Sequence, residues 1–345
     1  MTEQATTQIP DDQRPLVTFA LFAYNQEKYI REAVLGALAQ TYSPLQIILS
    51  DDCSPDRTFA VMQEMVADYS GPHEIILNRN EWNLGIGAHV NKIMGLSSGK
   101  YVVVAAGDDI SLNCRVQKVV DYWLRSGRVC NLIYSNADVV DKNGNFIKTI
   151  GHEPRLENYG LLKALSREFP SPIGCANAWH PDVFEVFGPL RDDIVAEDRI
   201  VSMRAFFLGG YGYIDESLVK YRVHENNVYN RQKHKFNYLA HLERSKKVES
   251  IHCKTFEQFS IDIDNDIVKS KIDAATYEKA KNLISKKIKS HTLQILMLYS
   301  KLSQRLKALL LALMPPVLPV HFFRYVLRIL VPRLHKKIIQ KNWAT

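Results

Sequence analysis

The sequence predicts an α/β fold, a doubly wound, mostly parallel sheet with flanking helices, followed by an all-α basic C-terminal region. Three observations carry this. Apolar runs alternate with helix-periodic segments over roughly the first two thirds of the chain, the signature of a parallel sheet. Two of those runs end in paired carboxylates, Asp51-Asp52 and Asp108-Asp109. Charge is also segregated. After Glu278 there is no Asp or Glu but fourteen Lys and Arg, leaving thirty basic against thirty-seven acidic residues before it, a net of −7 within a chain of +7.

The elements follow in order. Leu16 to Phe22 reads as a strand, and Glu27 to Gln40 as a helix with Ile30, Val34 and Leu38 on one face. Ile47 to Ser50 is the second strand, Thr58 to Tyr69 the second helix, and Glu74 to Leu77 a short third strand. After a loop around Asn83-Leu84-Gly85, His89 to Leu96 is helical and leads to the buried strand Tyr101–Ala106. Asn113 to Ser126 is a further helix. Asn131–Val140 and Asn145–Ile150 form a hairpin around Asp141-Lys142-Asn143-Gly144, because Asn-Gly favours the tight turn. Pro181 to Phe187, and the segment from Ile194 to Leu208, are helical.

The paired acids suggest a polar cleft. Ligands of such sheets bind beyond the carboxyl ends of the strands, and adjacent carboxylates there are costly unless a cation neutralises them. Either pair could instead cap the next helix, with Ser54 or Asn113 sharing that task. Both pairs serving only as caps, each after a buried strand, is the weaker reading.

Composition narrows the classes. At 345 residues the chain exceeds one ordinary core, so a sizeable domain plus an appendage is expected. Its five cysteines are odd in number and lack zinc-type spacing, which fits a reducing compartment. Met1 to Pro15 is polar, without an apolar signal core, and reads as a disordered lead-in. No Walker-type loop is present, and Gly85-Ile86-Gly87 is only half a dinucleotide fingerprint, with Val90 in place of the third Gly. The first strand leads into Ala23-Tyr24-Asn25-Gln26-Glu27 rather than a glycine-rich basic loop, which disfavours a nucleotidyltransferase.

The segment Val17 to Thr58, with Tyr24-Asn25, Leu38-Ala39-Gln40-Thr41-Tyr42 and Ser50-Asp51-Asp52-Cys53-Ser54-Pro55-Asp56, resembles the opening of the family-2 glycosyltransferases of the GT-A fold. Asn83-x-Gly85, Asn91, Gly99-Lys100-Tyr101, Gly107-Asp108-Asp109, Glu197-Asp198 and Tyr221-Arg222-x-His224-x-x-Asn227 continue the pattern in order. The resemblance covers roughly Leu16 to Asn230. It implies a GT-A domain over 16–230, after the lead-in 1–15 and before a helical, basic, amphipathic region over 231–345.

The resemblance also implies roles. Asp52 accepts a hydrogen bond from the nucleotide base, typically uracil, with Tyr24 flat beside it. Asn25, Glu27, Asn83, Gly85, Asn91 and Asp108 complete the donor site. Asp109, with Asp108 beside it, binds Mg²⁺ or Mn²⁺ bridging the diphosphate. Asp198 is the general base and Glu197 stands on the acceptor side. Ala23 stands where a small hydroxyl residue often precedes the Tyr, so one donor to the nucleotide is missing. From the residues themselves, Trp179 offers a face for an acceptor sugar or is a core aromatic. Arg222 and His224, two apart on a strand, share a face from which they meet the diphosphate or complete the metal shell.

The reading is an inverting, hexosyltransferase-like enzyme that moves a sugar from a nucleotide-diphosphate donor, a UDP-sugar first among candidates, to a hydroxyl of a glycan or lipid-linked acceptor in surface-polysaccharide assembly. The alternatives are a sugar-1-phosphate nucleotidyltransferase and an inactive membrane-bound scaffold. In the arm, Ala280, Ile284, Ile288, Ile295 and Tyr299 fall at helical spacing. Ala308–Val320 is 13 residues with three prolines, short of the roughly 18–20 that span a bilayer. Phe323, Val326, Leu327, Leu330, Leu334 and Ile338 form a stripe flanked by Arg324, Arg328, Lys336 and Lys337. A basic amphipathic helix of this kind lies on an anionic membrane surface, placing the protein peripherally on the cytoplasmic face. The alternative is packing on protein. Nucleic acid is disfavoured because the arm is too apolar.

Overall fold

The computed structural model describes residues 14–151, 160–166, 172–225, 227 and 238–299. The chain forms two compact units, Met1–Leu156 with Pro170–Asn227, and Glu157–Phe169 with Val228–Thr345.

The first unit is a mixed sheet with a parallel half. β1 (Val17–Ala23), β2 (Leu45–Asp51), β3 (Glu74–Arg79) and β4 (Val102–Ala106) lie in the order β3-β2-β1-β4, all parallel. β1 and β2 bury both faces, which is why they read as unbroken apolar runs. Alternate residues divide between two cores. Phe19, Leu21, Ile47, Leu49 and Val103 face one side, where Ile30, Ala33, Val34 and Ala37 of α1 (Ile30–Leu38) and Val116, Val119, Val120 and Trp123 of α4 (Arg115–Arg125) pack. Ala20, Ile48 and Val102 face the other, against Ile93 of α3 (Ile86–Leu96). α2 (Thr58–Val66) adds Met62 to the first core.

Beyond β4 the sheet turns mixed. β8 (Asn177–Trp179) inserts antiparallel between β4 and β6 (Leu132–Val140). β9 (Tyr211–Arg222) pairs parallel with β6 and antiparallel with β5 (Ile110–Ser111), and the predicted hairpin is formed by β6 and β7 (Phe146–Ile150). The doubly wound sheet with flanking helices is therefore present. The predicted helix over Pro181–Phe187 is only α6 (Asp182–Glu185), and α7 (Glu197–Leu208) ends on Gly209, whose left-handed φ of 92° suits glycine.

The second unit is helical. α8 (Tyr238–Asp262) and α10 (Ala274–Tyr299) pack on one another, with α5 (Leu161–Ala164) also against α10 and α9 (Asp266–Ser270) between α8 and α10 in sequence. Phe256 and Phe259 of α8 and Ala280, Ile284 and Leu293 of α10 are buried. His291 Nδ1 lies 2.6 Å from Glu249 Oε2 inside this pair. The first apolar stripe of the arm is thus spent partly on helix–helix packing. The lead-in 1–13 and the segments Ala308–Val320 and Phe323–Ile338 lie outside the described residues. Among the described residues no helix is long and apolar enough to cross a membrane.

Candidate functional site

The carboxyl ends of β1, β2 and β4 bring the two acid pairs to one edge of the sheet, and within each pair the acids do different work. Asp51 is fully buried. It accepts from Ser54 N at 2.9 Å and Ser54 Oγ at 2.5 Å, so it closes its own turn. Asp52 accepts at Oδ1 from Asn80 Nδ2 and Leu84 N, both at 2.8 Å, and at Oδ2 from Gly85 N at 2.9 Å. Gly85 has φ of 78°, which turns its N–H toward that carboxylate. Asn83 Nδ2 donates to the Asp52 carbonyl at 3.3 Å.

Tyr24 is 44 % exposed beside this turn, free to present a ring to a ligand. Asn25, at φ 57°, donates its N–H to Ser54 Oγ at 2.9 Å. Glu27 is tied down. Its Oε2 accepts from Arg57 N at 3.0 Å, just ahead of α2. Asn91 donates to Leu190 O at 2.7 Å and accepts from Leu190 N at 2.8 Å, so both ends of its amide hold the loop before α7. Glu27 and Asn91 thus each brace a neighbouring loop from within the protein.

The second pair divides in the same manner. Asp109 is buried and accepts from Arg222 N at 2.8 Å. Burial first, then the charge of Asp108, pushes its carboxyl well above the usual range. Asp108 instead meets His224, with Oδ2 2.9 Å from Nε2 and Asn227 Nδ2 3.4 Å from the same oxygen. Asp108 is the less enclosed of the two acids, 9 % exposed against 4 % for Asp109, and it is the one that faces His224. Gly107 permits the close pass: a Cβ there would sit 2.4 Å from Gln26 Oε1 and 2.9 Å from Ala23 Cβ.

β9 ends at Arg222, so His224 lies in the following loop rather than on a shared strand face. The Arg222 side chain is buried and occupied. It donates to Asp108 O at 3.1 Å, Lys142 O at 3.2 Å and Glu32 Oε2 at 2.9 Å, and its guanidinium lies 4.9 Å from the Tyr29 ring centroid. Tyr29 in turn packs on His224 at 4.8 Å. Arg222 is thus held from three sides beside the acid pair. Trp179 is also corrected. It is fully buried against Phe184 at 5.9 Å, so its face is closed to an acceptor.

Glu197 and Asp198 open α7, where the helix N-terminus favours negative charge. Asp198 Oδ1 accepts from Arg199 N at 2.7 Å. The 3-10 turn Gly174–Ala176 passes against them: a Cβ on Gly174 would lie 3.3 Å from Glu197 Oε1. Cys175 of the same turn is buried, and burial followed by the charge of Asp109 pushes its thiol well above the usual range. Burial, then the charge of Asp198, pushes Glu197 up to about 8, and burial raises Asp198 as well. A carboxyl raised in this way stabilises the fold only while protonated, and that contribution is lost as pH rises from 4.5 to about 8. Glu197→Gln is therefore expected to raise the melting temperature by a margin that grows over that window and is level above it. A pH-independent margin in thermal melts would contradict the assignment.

Among the described residues no group of three or more His, Cys, Asp or Glu gathers as a metal site. Asp108 with His224 supplies one carboxylate and one imidazole, a partial shell that suits a cation whose other ligands come from a diphosphate. Sequence reasoning did not assign Tyr29, Glu32, Asn80, His89 or Cys175. Only Ser50, a polar residue closing an apolar strand, signalled a buried polar cluster behind Asp52.

Comparison with known proteins agrees with this layout. The sequence profile of glycosyl transferase family 2 matches residues 18–187. An uncharacterized glycosyltransferase of Haemophilus influenzae is 28% identical over 339 residues, covering 95% of this chain and 96% of its own. Another, from Methanocaldococcus jannaschii, is 26% identical over 252 residues, covering 70% of this chain and 79% of its own. In structure, S. aureus TarS 1-349 in complex with UDP-GlcNAc superposes with a TM-score of 0.56 at 13% identity, over 95% of this chain and 88% of that one. The mannosyltransferase PcManGT of Pyrobaculum calidifontis, in complex with GDP-Man and Mn2+, gives 0.50 at 15% identity, over 99% and 88%. The profile match and the shared sheet show residues 18–187 to be a glycosyl transferase family 2 domain, built on the GT-A fold.

Proposed function

We propose that the protein moves a sugar from a nucleoside diphosphate donor to a hydroxyl of a glycan or lipid-linked acceptor, with a divalent cation and with inversion at the anomeric carbon. The observation that carries this reading is the Asp108–His224 pair, 2.9 Å apart beyond the end of β4. Asp52 would accept the ring N–H of the base, a charge-assisted bond, and Tyr24 would cover the ring. Asp108 and His224 would hold the cation. When bound, a divalent cation stabilises negative charge on a departing diphosphate. An imidazole in the shell favours Mn²⁺ over Mg²⁺. Asp198 would take the proton of the attacking hydroxyl.

Two neighbours support the donor class, since one is described with UDP-GlcNAc and another with GDP-Man and Mn2+. A UDP-sugar is the first donor to try. The test is to incubate the full chain and Mn²⁺ with UDP-, GDP- and dTDP-sugars. Release of a nucleoside diphosphate supports the reading. Release of pyrophosphate from a sugar phosphate and a nucleoside triphosphate supports a nucleotidyltransferase, and no turnover with any donor supports a scaffold.

Surface-polysaccharide assembly at the inner face of the membrane is part of the same proposal. It rests on the sequence of residues 308–338, because the stripe of α10 has buried members already. The full chain is expected to float with anionic vesicles at low salt, and a chain ending at residue 300 to stay behind, each exposed charge contributing about 1 kcal/mol. A full chain that does not float would remove the membrane from the account.

A further inference from the structure

Asp52 is held by a closed ring of hydrogen bonds that runs through a buried histidine. His89 of α3 is 4 % exposed, and its Nε2 lies 2.7 Å from Ser50 Oγ. Ser50 Oγ accepts from Asn78 Nδ2 at 2.9 Å, and the same nitrogen donates to Asn80 Oδ1 at 3.1 Å. Asn80 Nδ2 then donates to Asp52 Oδ1 at 2.8 Å. The ring closes through the backbone: Gly85 N donates to Asp52 Oδ2, and Gly85 O accepts from His89 N, both at 2.9 Å.

The polarity of this ring follows from the donor inventory. Asn78 spends one N–H in each direction. Asn80, receiving at its oxygen, has to point its NH₂ at Asp52. Ser50, accepting from Asn78, still has its own proton to give to His89 Nε2, and a neutral ring with an unprotonated Nε2 takes it. Burial holds His89 below its ordinary range, against the pull of Asp52 and Asp51, which agrees with that state. The edge-on contact with Phe22, at 5.4 Å, fixes the ring plane.

We propose that His89 is a positioning residue for nucleotide recognition: through Ser50, Asn78 and Asn80 it pins the Asp52 carboxylate in the orientation that distinguishes bases by their ring N–H. This rests on the reading of Asp52 as the acceptor for the base. Uracil and guanine offer a ring N–H; cytosine and adenine do not. A pinned carboxylate pairs with the first two and is left unpaired by the others, whereas a loosened one turns toward any donor.

Calorimetric titration of the full chain with UDP, GDP, CDP and ADP, in the presence of Mn²⁺, tests this. The wild type is expected to favour one of the N–H-bearing bases. His89→Leu should reduce that preference about tenfold, the loss that follows when a buried polar partner is removed. His89→Gln, whose amide oxygen can still accept from Ser50, should restore it. Uniform weakening for all four nucleotides, or an unchanged preference, would overturn the proposal. Should His89→Leu fail to fold, Ser50→Ala breaks the same ring with a smaller change and is read by the same criterion. Asp52→Asn separates the two claims. If it keeps the wild-type preference, the reading of Asp52 itself is wrong; if it loses the preference while His89→Leu and Ser50→Ala keep it, only the role of His89 is.

Discussion

Replacing Asp198 with Asn is expected to lower sugar transfer by about 10²–10⁴ while leaving donor binding intact. Asp198 sits in the first turn of α7, beside Glu197 and under the turn Gly174–Ala176. Direct displacement at the anomeric carbon needs one base to take the acceptor's proton, and a carboxylate at a helix N-terminus is placed for that. Asn keeps the shape, and its side-chain oxygen still accepts from Arg199 N, so the helix start survives. Losing the base alone therefore separates chemistry from folding. Initial rates with saturating donor, together with nucleotide titration, check this. An Asn variant that transfers at the wild-type rate would remove Asp198 from the mechanism.

The second large effect separates two adjacent acids. Asp108→Asn is expected to weaken Mn²⁺-dependent nucleotide binding by about 10–100-fold, the range seen when a residue that holds or orients a metal is altered. Asp109→Asn is expected to keep its metal dependence, because an amide oxygen can still accept from Arg222 N. Burial already disfavours the ionised form of Asp109, so little charge is lost. Nucleotide titrations with and without Mn²⁺ on both variants decide the matter. If Asp109→Asn abolishes the metal dependence and Asp108→Asn does not, the two roles must be exchanged.

The different surroundings of Asp108 and Asp109 show what the sequence could and could not reveal. The parallel half of the sheet was legible because β1 and β2 are buried on both faces and so are written as unbroken apolar runs. The helices α1 and α4 were legible from their spacing, and the β6–β7 hairpin from Asn143-Gly144. That acids stand at the strand ends was equally plain. Their division of labour was not, because it depends on partners far along the chain. Asp109 is fixed by Arg222, 113 residues away, and Asn91 by Leu190, 99 away. Glu32 meets Arg222 across 190 residues. Trp179 misled for a related reason: β8 has only three residues, too few for a period to mark which face is buried. In the arm, one stripe had two possible destinations, and the packing of α10 on α8 took the first part of it.

The most direct measurement of the central claim is the configuration of the sugar when the donor is first cleaved. With the donor found in the nucleotide-sugar panel, proton NMR can follow the released or transferred sugar before mutarotation mixes the anomers. The first-formed product is expected to carry the configuration opposite to that in the donor, and to form only with Mn²⁺ or Mg²⁺ present. A first-formed product of retained configuration would contradict the single displacement assigned to Asp198.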